Sequence, residues 1–320
     1  MSQYLKSNCT NLNIYRNFLA KFLAIIIFTM LVFISQLAIA KQQKIFIVVP
    51  IEHESLKKIV EGIEQNFSLD KYKVIVKNAQ GDLNLMYSIV NQINNQDFDL
   101  VIPIGTQTSQ LTLNIIKNKP IIAAAAIIDN KNLPLVTGIN DEVPITSSLS
   151  NLPKLKNLAV IYSASEKIIP EIEELRNYAK KNNIILHLKM VSTLLELNSA
   201  VKTISNDVQS FLILKDHLVV SGINILIQEA AKRKIPIIAS DEGSVLSGAT
   251  IAIGVKEQEI GLITGKLAKD ILNGTSPAAI PYQTIDKLTL FINEKSFKTQ
   301  NILKLEDLVS LNLPQQKIAD

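Results

Sequence analysis

Tryptophan is absent from this 320-residue chain, cysteine occurs once and histidine three times. One cysteine excludes a disulfide framework and a cysteine-based zinc module. Histidines at 53, 187 and 217 are scattered and form no metal-ligand spacing. No metal and no cofactor is therefore expected. The Walker pattern G-x-x-x-x-G-K-S/T is missing, and so is G-x-G-x-x-G after any strand-like run. The G-x-S-x-G elbow of a serine hydrolase is also missing, and no nucleophile is tied to a histidine, so no catalytic residue is assigned and an enzyme is not expected. Acidic residues are lacking from positions 1–40, which hold Lys6, Arg16 and Lys21. Subtracting those three from the 33 basic residues leaves 30 against 29 acids, so the remainder is nearly neutral. A nucleic-acid partner would require a basic footprint that this balance excludes. Apolar residues make up 47%, which excludes a chain too polar to fold.

The first forty residues read as an address. A basic stretch ends at Lys21, a thirteen-residue run from Phe22 to Ile34 is broken only by Thr29, and Ala38-Ile39-Ala40 follows. That is the order of a secretory signal peptide, spanning 1–40. The run is shorter than the roughly 20 residues of a membrane span. An uncleaved N-terminal anchor is the alternative reading. Cys9 precedes the apolar run, so it is not the lipid-bearing cysteine of a lipoprotein. A soluble exported chain without lipid is retained most simply in a periplasm.

Strand and helix signals alternate over the remaining 280 residues. Ile45–Val49 is a continuous apolar run, the pattern of a strand buried on both faces. Further strands are expected at 73–77, 99–103, 121–126, 158–162, 184–190, 210–214 and 235–239, separated by helix-like segments. Such alternation implies βαβ units and parallel sheets with helices on both faces. A stretch from Asn140 to Lys156 holds Pro144, Pro153 and several serines without a strong strand, and splits the chain into two doubly wound lobes. The alternation breaks near the end, where 249–255 and 287–292 read as strands around a helix at 258–272.

Open parallel sheets bind ligands beyond the carboxyl ends of their strands. Glu52 and His53 follow the first strand. Thr106, Gln107 and Thr108 follow Gly105 at a helix start, where free N–H groups attract a carboxylate or phosphate. Ser163 and Ser165 follow 158–162, Asp216 follows 210–214, and Asp241 follows 235–239. Asp141 lies at the crossing between lobes. Each of these also reads as ordinary helix capping, and spacing leaves both readings open.

The block Ser240-Asp241-Glu242-Gly243-Ser244-Val245, with Gly248-Ala249, Ile253-Gly254-Val255, Gly261 and Thr264-Gly265, resembles the ABC transporter substrate-binding family of tryptophan/tyrosine type. Ile51-Glu52-His53, Asn78–Asp82, Gly105-Thr106, Val136-Thr137-Gly138 and Ile161-Tyr162 with Ser165-Glu166 match in order from about Lys44 to Glu294. The resemblance implies a type I periplasmic binding fold: two α/β lobes joined by a three-segment hinge. One lobe would be 44–143 plus 248–275, the other 144–247 plus 276–320. It implies a monomeric periplasmic protein that traps a small polar or zwitterionic solute, amino acids included, and delivers it to an ABC permease in the inner membrane. A ligand sensor signalling to a membrane receptor is the alternative. By resemblance the Thr106 turn receives a ligand carboxylate, and Asp141 and Asp216 are the acids for its amino group, with Glu52 and Asp241 nearby. Relatives often carry Asn-Pro-Ser where this chain has Ser163-Ala164-Ser165. They often carry Thr-Asp-Asn where it has Lys215-Asp216-His217.

Overall fold

The computed structural model describes residues 42–318 except 130–132, 142, 144, 151–154, 166, 286 and 310, and before them only 21–23, 25, 26 and 29. Contacts divide the chain into Met1–Gln42 and Gln43–Asp320. In the first unit the described residues before Gln42 are helical and exposed. Most of the expected export segment, with Cys9, lies outside the described residues. No described helix is long and apolar enough to cross a membrane.

The second unit holds two sheets. Its strands are β1 (Gln43–Val49), β2 (Tyr72–Asn78), β3 (Leu100–Pro103), β4 (Ile121–Ala123), β5 (Val136–Asn140), β6 (Asn157–Ser163), β7 (Ile185–Val191), β8 (Ser210–Ile213), β9 (Ile237–Ala239), β10 (Ile251–Gly254), β11 (Gln283–Thr284), β12 (Thr289–Asn293) and β13 (Gln315–Ile318). The first sheet runs β11-β5-β4-β3-β1-β2, the second β13-β12-β10-β9-β8-β6-β7. Both begin on the same plan, with the second strand outside the first and the third, fourth and fifth on the other side. Each is therefore doubly wound, with a switch point between β1 and β3 or between β6 and β8.

The apolar runs behave as a two-faced buried strand requires. In β1, Ile45, Ile47 and Val49 join one core cluster, while Phe46 and Val48 join another on the opposite face. In the second sheet Phe211 and Ile213 face one cluster, and Leu212 and Leu214 the other. Helices cover both faces, so the fold is α/β with two parallel-sheet lobes.

Pairing changes two details of the expected layout. Ile251–Gly254, read with the first lobe, lies in the second sheet, parallel to β9 and antiparallel to β12. Gln283–Thr284, read with the second lobe, pairs with β5 in the first sheet. The chain thus passes between the sheets after β5, after β10 and after β11. The β10–β12 pair is antiparallel because the chain leaves the second lobe between them. The returning strand is then free of the right-handed crossover that fixes parallel neighbours.

One helix of the first lobe comes from each side of a crossing. Helix Glu54–Glu64 follows β1, and helix Glu257–Leu272 follows the second crossing. Their backbones meet at glycines. A Cβ on Gly261 would lie 2.2 Å from the Ile59 carbonyl oxygen, and one on Gly62 would lie 2.9 Å from the Gly261 Cα. The obstacle is backbone on both sides, so no rotamer relieves it. Gly261→Ala is expected to lower the unfolding free energy by about 2 kcal/mol through overpacking, measured by chemical denaturation. A loss below about 0.5 kcal/mol, the range of a neutral surface change, would show that the two helices separate freely.

Candidate functional site

The loops after β1 and β3 sit at the switch point of the first lobe, and those after β6 and β8 at that of the second. The two sets meet. A Cβ on Gly105, after β3, would lie 3.7 Å from Cε1 and Nε2 of His217, after β8. Ile51, after β1, is buried within the apolar cluster of the second lobe.

Gly105 adopts φ +86°, open to glycine, and precedes helix Thr106–Ile115. That helix has no side-chain cap. Thr106 Oγ1 instead accepts from the Ile127 N–H at 3.1 Å, and Gln107 is exposed. Thr108 and Ser109 are fully buried, and their hydroxyls have no partner.

A second meeting point joins the loops after β1 and β9. His53 caps helix Glu54–Glu64, its Nδ1 accepting from the Ser55 N–H at 3.3 Å. The proton of the neutral ring is then on Nε2. Nε2 is buried without a hydrogen-bond partner, 4.0 Å from Asp241 Oδ1. Ser55 Oγ donates to that same oxygen at 2.7 Å and accepts from the Gly243 N–H at 3.0 Å. Asp241 also caps helix Glu242–Leu246 through the Ser244 N–H. Lys58 reaches across to Glu242 at 2.6 Å, and Gln316 Nε2 donates to the same oxygen at 2.8 Å. Glu257, at the second crossing, accepts from the Glu242 N–H at 3.1 Å through Oε1, while its buried Oε2 has no partner. Burial and the neighbouring Asp241 push the Glu257 carboxyl well above the usual range.

A third contact is an ion pair. Lys215, after β8, binds Asp141, after β5, with side chains 21% and 8% exposed. Burial opposes the Lys215 charge, but Asp141, Glu257 and Asp241 outweigh it and raise its pKa to about 12. Burial likewise opposes the Asp141 charge, yet Lys215 and Lys167 hold it below the usual carboxylate range. His217 is driven the other way. Burial and Lys167 lower it to about 4 against the pull of Asp216.

The remaining residues are mostly engaged locally. Asp216 is 2% exposed, caps the short helix at 217–221 through the Leu218 and Val219 N–H groups, and accepts from the Ser163 N–H at 2.5 Å. Ser165 Oγ accepts from the Ile168 N–H at 3.3 Å. Glu52 is exposed and accepts from Asn78 Nδ2 at 2.9 Å, at the outer end of β2. The structure thus brings His53 and Asp241 together, and Ser163 and Asp216, and sets Glu52 apart. Sequence reasoning passed over Ser55, Lys58 and Glu257, which carry no motif, and quoted Gly243 only within the block that carries the resemblance. It quoted Lys215 only as a departure from relatives. Among the described residues no group of acids, histidines and cysteines is arranged to hold a metal.

Comparisons with known proteins agree with this architecture. Residues 44–316 match a family model described as ABC transporter substrate binding protein. An uncharacterized protein of Rickettsia prowazekii is 53% identical over 281 residues, 88% of this chain and 93% of that one. A tyrosine-binding protein of Clostridioides difficile is 33% identical over 287 residues, 83% of each. The solved ABC domain in complex with L-Trp from Streptococcus pneumonia superimposes with TM-score 0.77 at 25% identity, over 87% of this chain and all of that one. The ligand-free, open structure of a substrate binding protein with adhesive properties from Clostridium difficile gives 0.60 at 28% identity, over 86% and 99%. The less identical chain fits better, as expected if lobe arrangement decides the fit. The two lobes make direct contacts here, Ser55 with Asp241 and Lys215 with Asp141. The fold is the type I periplasmic binding fold. Its role is binding rather than catalysis: the chain belongs to the ABC transporter substrate binding protein family.

Proposed function

We propose that this chain is the exported solute-binding component of an ABC importer. Its two lobes close over a small carboxylate-bearing solute of amino-acid size. The observation that carries this reading is the meeting of the two switch points, Gly105 of one lobe against His217 of the other. The uncapped start of helix Thr106–Ile115, with the buried Thr108 hydroxyl, supports a carboxylate there. The tyrosine-binding relative and the L-Trp complex support the size class. The basic stretch, apolar run and Ala38-Ile39-Ala40 support export, with a mature chain that starts at Lys41.

Mechanically, a solute touching both lobes favours the closed state by its differential affinity for that state. The test is mass spectrometry of whatever co-purifies from the exporting cell, followed by calorimetry and X-ray scattering with that compound and the amino acids. A carboxylate bound at micromolar Kd or tighter, with a shrinking radius of gyration, is the expected result. A mature protein that no such compound stabilises or compacts would refute the reading.

A further inference from the structure

The Lys215–Asp141 pair has a consequence for what the cleft accepts. Asp141 ends the β5 path of the first lobe, and Lys215 follows β8 of the second, 74 positions away. Each is the other's counterion, and the ammonium also lies 3.4 Å from the Asp141 carbonyl oxygen. Two more carboxyl groups at the lobe seam, Asp241 and Glu257, add to the field that holds the Lys215 charge. Asp241 is 4% exposed, and Glu257 is 2% exposed with Oε2 buried and unpartnered. Such a nest of acidic groups at a ligand cleft is suited to a primary ammonium. Here the protein supplies that ammonium from its own side chain.

We propose that Lys215 determines specificity by occupying this acidic subsite, so that the cognate solute is recognised without a cationic amine at Asp141. This rests on the reading of the lobe seam as the ligand cleft. An incoming ammonium would have to displace Lys215 and leave a buried cation without its partner, which is strongly unfavourable. A solute whose end toward Asp141 is uncharged leaves the pair intact. The carboxylate end of the solute is then what the Gly105–Thr108 turn reads. Removing the Lys215 side chain turns the occupied subsite into an open one.

Two probes test this in the mature protein. The first is n-butylammonium chloride, with sodium chloride and n-butanol as controls, added to wild type and to Lys215→Ala. A saturable rise in the melting temperature of about 4 °C at ten times Kd is expected in the variant, from the amine alone, and none in wild type. Lys215→Thr leaves nearly the same space and serves if the alanine variant does not fold. The second probe is the pair L-tyrosine and 3-(4-hydroxyphenyl)propanoate, compared by calorimetry. Wild type is expected to bind the two within about threefold, and Lys215→Ala to prefer the amine-bearing compound by about tenfold, one charge-assisted hydrogen bond. A folded variant that gains nothing from butylammonium would overturn the proposal. A wild type that prefers tyrosine tenfold would overturn it too. Binding of neither acid by wild type would defeat the amino-acid size class of the solute, while the amine response of the variant still decides the role of Lys215.

Discussion

Gly243→Ala is expected to abolish closure while leaving both lobes folded. A Cβ at this position would lie 2.3 Å from the Ser55 backbone nitrogen, 2.4 Å from its Oγ and 2.7 Å from His53 Cε1. All three atoms belong to the opposite lobe, and the nearest is backbone at a helix start. Gly243 itself lies in helix Glu242–Leu246 at ordinary φ, so alanine is locally accepted and is the better helix former. The clash therefore exists only when the lobes are together. Moving them apart also breaks the Lys58–Glu242 pair and the Ser55–Asp241 hydrogen bond. Ligand affinity should fall by about a hundredfold or more, since apparent affinity scales with the fraction of molecules able to close. Scattering should report an expanded molecule at any ligand concentration, and the melting temperature of the apo protein should stay within about 3 °C of wild type, a change of about 1 kcal/mol. Wild-type affinity in a folded Gly243→Ala protein would mean that ligand binding does not require this contact.

The residues that made the fold legible are those where burial needs no partner to be known. Ile45–Val49 announces a two-faced strand by itself, and β1 is that strand. Val136–Asn140 does not, because Thr137, Gly138 and Asn140 interrupt the apolar run, and its burial comes from β4 and β11 on either side. Gln315–Ile318 is a polar strand at the sheet edge, so no hydrophobic period marks it. Periodicity identified Ile251–Gly254 as a strand but not its sheet, which depends on neighbours far away in sequence. The site divides along the same line. The rule that ligands gather at strand ends located the loops holding His53, Thr106, Asp216 and Asp241. It did not show that Ser55 binds Asp241 or that Lys215 binds Asp141, contacts that close only across two lobes. For Asp216, open to both readings in the sequence, capping is the observed use: three backbone N–H groups donate to its carboxylate.

The unfolding free energy should carry a His217 signature between pH 6.5 and 4. Burial and Lys167 lower this imidazole to about 4 in the folded chain, whereas an unfolded histidine titrates near 6.5. The folded state therefore favours the neutral ring. Its contribution is complete above the unfolded value, is lost as pH falls from 6.5 toward 4, and is absent below 4. A difference of that size corresponds to about 3 kcal/mol. Glu257 works in the opposite sense. Its carboxyl is raised, so the fold binds its proton first and gains stability as pH falls toward the unfolded value. The wild-type profile alone is thus a sum of opposing slopes, and the informative quantity is the difference between wild type and His217→Asn. The groups around His217 that set the effect are Lys167, Asp216 and His53. With Lys167 and His53 both lowering the ring's pKa, acid should also loosen the contact of His217 with Gly105, so scattering at pH 4.5 should show a more open molecule than at pH 7. Denaturation curves at half-unit steps should converge by about 3 kcal/mol from pH 7 to pH 4, the full linkage of this group. An NMR titration of the ring should show a midpoint near 4. Parallel curves, or a midpoint at the unfolded value, would place His217 in solvent rather than between the lobes.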